Sequence, residues 1–61
     1  MCELTVYIVK DGHEEKVMED VASITPEGDQ LVLTDVIGHQ KKVVAKIKEL
    51  KLMEHKAYLI P

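Results

Sequence analysis

The chain has 61 residues with a net charge of −3, and its basic residues are eight lysines with no arginine. That length allows one domain, residues 1–61, without room for a second core. It also leaves little buried surface, so a disulfide, a metal or a partner subunit is expected to help stabilise it. The single cysteine, Cys2, excludes an internal disulfide and fits a reducing compartment, so a cytoplasmic protein is expected. No apolar run approaches the length needed to span a bilayer, and no signal peptide is apparent. Nucleic-acid modules usually carry a basic footprint with Arg or stacking aromatics. Here Tyr7 and Tyr58 are the sole aromatics, which disfavours that class.

Residues 4–10, LTVYIVK, read as a strand. Leu4, Val6 and Ile8 fall on one face, and Thr5, Tyr7 and Val9 on the other. Both faces are fairly apolar, so the strand is expected to be central or to lie in an interface. Asp11-Gly12 is a hairpin signal, because Gly tolerates positive φ. Strand character resumes over 16–24, with a bulge expected near Glu19-Asp20. TPEGD is a turn in which Pro26 would preset φ and Gly28 take the left-handed position. A third strand covers 30–37 and ends at Gly38.

Residues 39–55 are ambiguous. Val43, Ile47 and Leu50 have helical spacing, whereas Val43, Ala45 and Ile47 alternate as in a strand, followed by Leu50 and Leu52 after a one-residue slip. If Glu54-His55 forms a turn, 46–53 and 56–60 pair as the last two strands. The pattern fits a small all-β, five-stranded, strongly bent barrel or meander. The edges of so small a sheet need cover, which a homodimer would supply.

A lone cysteine is often a small buried hydrophobe, but a position next to the terminus is poorly placed to fill a core. There, a thiolate and an adjacent backbone nitrogen form one five-membered chelate. Two chains about a twofold axis would complete a four-coordinate site of two sulfurs and two nitrogens. Planar nitrogen–sulfur coordination suits nickel(II) or copper(II), while zinc prefers a tetrahedron. His13, His39 and His55 match no zinc spacing and fall in or beside expected turns. No motif supplies the base and oxyanion site that a cysteine nucleophile needs. Lys41, Lys42, Lys46, Lys48, Lys51 and Lys56 form a basic region. It reads either as a solvated edge that blunts aggregation or as a surface for an acidic protein or an RNA backbone.

The Met-Cys start of MCELTVYIV, the DG hairpin, TPEGDQLVLTDVIG and the ending AKIKELKLMEHKAYLI resemble the CooT family over nearly the whole chain. The resemblance implies a small five- to six-stranded, antiparallel Sm-like barrel that forms homodimers and binds nickel(II) at the dimer interface through Cys2. It further implies a non-enzymatic accessory role toward a nickel enzyme such as carbon monoxide dehydrogenase. It also favours strand over helix for 46–53, with room for a short helical turn near 40–45.

Overall fold

The computed structural model describes residues 3–61. Six strands run in chain order: β1 Leu4–Lys10, β2 His13–Glu27, β3 Gln30–Asp35, β4 Gln40–Val43, β5 Lys46–Lys51 and β6 Lys56–Ile60. They form one sheet in the order β4-β3-β2-β1-β6-β5. The sole helical element among the described residues is a 3-10 turn, Leu52–Glu54.

β1 is central, which accounts for its two apolar faces. Val6 and Ile8 pair with Ala57 and Leu59 on the core side, and Tyr7 pairs with Tyr58 on the other. The β1–β6 pair is parallel, whereas every other ladder is antiparallel. This pair departs from the wholly antiparallel arrangement that the sequence leads one to expect. The direction of β6 is set by its hairpin with β5, and that direction coincides with the direction of β1.

β2 is long and bends. Its first half pairs with β1 and its second half with β3, and Val21 is shared, paired to both Leu4 and Asp35. Between the Leu4–Val21 and Val6–Met18 pairs, β2 advances three residues against two on β1. This is the bulge expected at Glu19-Asp20, and Asp20 takes a left-handed φ of 55°, a conformation that Asp tolerates better than most residues. The Asp20 carbonyl accepts the Val36 N–H at 2.9 Å, tying the bend to the end of β3.

The bend folds the sheet over one core. Val6, Val21, Leu31, Leu33, Ala45, Ala57 and Leu59 fill it, with Leu4, Ile8, Val17, Met18, Ile24 and Val43 packed around them. β4 and β5 stand at opposite ends of the strand order, yet two residues, Val44 and Ala45, join them. That link spans roughly 11 Å at most, so the sheet must curl back on itself. It does not close: among the described residues β5 pairs with β6 alone. The expected barrel is therefore an open, strongly curled sheet.

The hairpins follow local chemistry. Asp11 and Gly12 both have positive φ, 52° and 78°, as a type I′ turn requires. Gly28 (φ 62°) opens the second two-residue hairpin between the paired Glu27 and Gln30. Pro26 is not at this turn but within β2, opposite Leu31. Proline lacks an N–H and needs an edge, and the second half of β2 has β3 as its sole described neighbour. β3 ends at Asp35, short of the expected Ile37. The Asp35 carboxylate accepts the N–H groups of Ile37 and His39 at 3.0 and 2.8 Å and turns the chain. Residues 40–43 are strand, so the short helical turn falls instead at Leu52–Glu54. β5 stops at Lys51, before the expected residue 53. Within it, Lys48 is the extra residue between the Ile47–Leu59 and Glu49–Tyr58 pairs, which is the one-residue slip expected there.

Candidate functional site

Cys2, the expected metal ligand, lies outside the described residues. β1 begins two positions later, at Leu4. The three histidines separate. His13 opens β2 beside the Asp11-Gly12 turn, opposite Lys10. His39 follows the Asp35 turn, its Nδ1 3.4 Å from Asp35 Oδ2. His55 takes a left-handed φ of 58° between the 3-10 turn and β6, and its carbonyl accepts the Thr5 N–H at 2.9 Å. Asp35 pairs with Val21, which also pairs with Leu4. His39 and His55 thus stand on the turns that flank the start of β1, and His13 is at the far end of that strand. Among the described residues, no three His, Asp or Glu groups come together in a way that could hold a metal.

Asp35 is the most constrained carboxylate of these turns; its side chain is 14% exposed. Burial alone would raise its pKa. The N–H groups of His39 and Ile37 outweigh that, and the carboxyl is held below its ordinary value.

The same turns carry exposed apolar side chains. Ile37 is 75% exposed, Leu52 65% and Met53 95%. No buried polar side-chain atom among the described residues lacks a hydrogen-bond partner.

The basic region, continuous in sequence, is divided in space. Lys41 and Lys42 lie on β4, where Lys41 Nζ donates to the Val17 carbonyl and Lys42 Nζ pairs with Glu27, both at 3.0 Å. Lys46, Lys48 and Lys51 lie on β5, the opposite edge strand, and among the described residues none of these three has a carboxylate partner. Lys51 Nζ sits 5.7 Å from the centroid of the Tyr58 ring, and Lys56 Nζ 6.0 Å from that of Tyr7. The two rings stack on one another, so a lysine stands over each. The sequence contains both tyrosines and both lysines, but their meeting depends on the parallel β1–β6 pair, which local patterning does not reveal.

The described residues form a small, curled six-stranded β domain with exposed turns and strand edges. The family described as CO dehydrogenase accessory protein CooT matches residues 1–60. A crystal structure from Carboxydothermus hydrogenoformans, described as that of a candidate CooT, superposes with a TM-score of 0.91 at 36% identity, covering 97% of this chain and 95% of that one. An uncharacterized protein of Methanocaldococcus jannaschii is 34% identical over 59 residues, 97% of this chain and 96% of its own. The chain belongs to the CooT family of carbon monoxide dehydrogenase accessory proteins. No helix among the described residues is long and apolar enough to cross a membrane.

Proposed function

We propose that this protein is a homodimeric nickel(II)-binding accessory protein that aids maturation of a nickel enzyme such as carbon monoxide dehydrogenase. One ion is held between two chains by the Cys2 thiolates and N-terminal backbone nitrogens. The observation that carries this reading is the family match, which spans Cys2 and nearly the whole chain. The donor chemistry agrees: two thiolates and two nitrogens form a planar set that suits nickel(II).

Two further features support it. The exposed Ile37, Leu52 and Met53 lie on the turns flanking the start of β1, so apolar surface for a second subunit lies around that end of the strand. Among the described residues the three histidines form no metal-holding group, which agrees with a site built on Cys2 instead. On this reading the protein works in the cytoplasm, where its thiol stays reduced, and has no catalytic role of its own.

Nickel titration of the wild-type protein and of Cys2→Ser, followed by the thiolate-to-nickel bands in the near ultraviolet, tests the reading. The bands should appear in the wild type and be lost in the variant. Equal binding by both would reject Cys2 as the ligand.

A further inference from the structure

The apolar residues of β5 do not follow simple alternation, and the reason lies in the Lys48 bulge. Ile47 pairs with Leu59 and Leu50 with Ala57, both partners lying on the core side of β6. The extra residue therefore turns Ile47 and Leu50 toward the same face despite their three-residue separation. They remain 45% and 46% exposed. With Leu4, Val21 and Ile24 they line a groove of about 200 Å³ between β5 and the bend of β2. This groove is the seam at which the curled sheet stays open.

β5 is an edge strand, so its outer row of N–H and C=O groups meets no described strand. Unpaired edges of this kind template the addition of another strand. Lys46, Lys48 and Lys51 surround the apolar pair, Glu49 being the one acidic residue of the strand. The chain as a whole is net negative, so this edge is a local reversal of its charge.

We infer that the β5 edge, Lys46–Lys51, is a docking site for an extended acidic segment of a partner protein. That segment adds a strand to β5, places apolar side chains in the groove beside Ile47 and Leu50, and directs carboxylates to the three lysines. Strand addition supplies affinity through the main chain, while the groove and the charges select the sequence. An RNA backbone would meet the lysines but would leave the apolar groove unfilled. A second copy of the chain offers as described free edges β4, Gln40–Val43, and the outer side of the second half of β2, and neither alternates apolar with acidic residues. The inference does not depend on metal binding.

The test is a titration of the isotope-labelled full chain, followed by amide NMR. The probes are an octapeptide alternating valine and glutamate, its valine–lysine counterpart, and an eight-nucleotide uridine RNA. The acidic peptide should shift the amides of residues 46–51 saturably. Lys48→Glu, and separately the Lys46→Glu, Lys48→Glu, Lys51→Glu triple variant, should weaken binding, the latter by about tenfold or more. Retained spectral dispersion shows that each variant is folded, and the single variant serves if the triple one is not. Leu50→Ser should weaken binding while leaving the charges in place. The inference is overturned if the acidic peptide leaves residues 46–51 unmoved or the lysine peptide binds equally well. It is also overturned if the RNA shifts the same amides more strongly, or if dilution alone shifts them, which would assign the edge to a second copy of the chain.

Discussion

Tyr7 on β1 stacks against Tyr58 on β6, with ring centroids 5.5 Å apart and planes 20° from parallel. The contact clamps the one parallel ladder of the sheet on the side away from the core. Tyr58→Ala should therefore destabilise the fold as a core truncation would, by about 3–5 kcal/mol, since Tyr58 is itself buried. A double-mutant cycle with Tyr7→Ala should return a coupling of about 0.5–1.5 kcal/mol. Urea denaturation of the four proteins measures both. Additive losses would show that the stack contributes no pairwise energy.

The Asp35 turn should make stability depend on pH at the acid end. The folded-state pKa of its carboxyl lies below the ordinary value, because the amides of His39 and Ile37 outweigh the opposing effect of burial. The stabilisation is thus complete above the unfolded value of about 3.9 and is lost as pH falls through the lower folded value. Asp35→Asn should be less stable than wild type at neutral pH, with the gap shrinking as pH drops below about 4. Thermal melts across that range decide the matter. A gap that is constant with pH would mean that the carboxylate charge plays no part.

Much of the sheet is readable from the sequence because its rules are local. Alternation in 4–10, the Asp11-Gly12 turn, the bulge at Glu19-Asp20 and the slip around Lys48 each depend on a few neighbouring residues, and each is where the pattern places it. Pro26 is misread, and residues 40–43 stay open between strand and helix, for different reasons. A proline reads as a turn former unless it is known that the second half of β2 has β3 as its one neighbour among the described residues. Four residues of Gln40–Val43 are too few to distinguish strand from helix by period. The parallel β1–β6 pair and the splitting of the lysines between two edges depend on the path of the whole chain. Cys2 is an expectation from its chemistry and lies outside the described residues, whereas the scatter of the histidines required the fold.

Gly28→Ala should cost about 1–2 kcal/mol, purely through the backbone. Its φ is 62°, and a Cβ there would meet nothing within 4 Å. Replacement with Asn, which tolerates the left-handed region, should cost less. Chemical denaturation of both variants measures the difference. Equal costs would mean that the strain is not conformational.

Nickel release on acidification follows from the protonation of the proposed ligands. A free thiol titrates near 8.5, and the nitrogen adjacent to the Cys2 thiol is a terminal amine, titrating near 7.7–8.0, if Met1 is removed and an amide if Met1 stays, so nickel competes with several protons per site. Affinity should fall steeply below about pH 6, while circular dichroism stays that of the folded sheet. Calorimetry at pH 7.5 and 5.5 checks this. An affinity independent of pH would point to carboxylate ligands instead.

The central claim is one nickel ion shared by two chains through Cys2. Native mass spectrometry during a nickel titration tests it most directly, because it reads subunit number, metal count and retention of Met1 in a single spectrum. The account predicts a dimer in the absence of metal, saturation at one ion per dimer, and a Cys2→Ser dimer that takes up none. A monomer, one ion per chain, or an unchanged metal count in Cys2→Ser would contradict it.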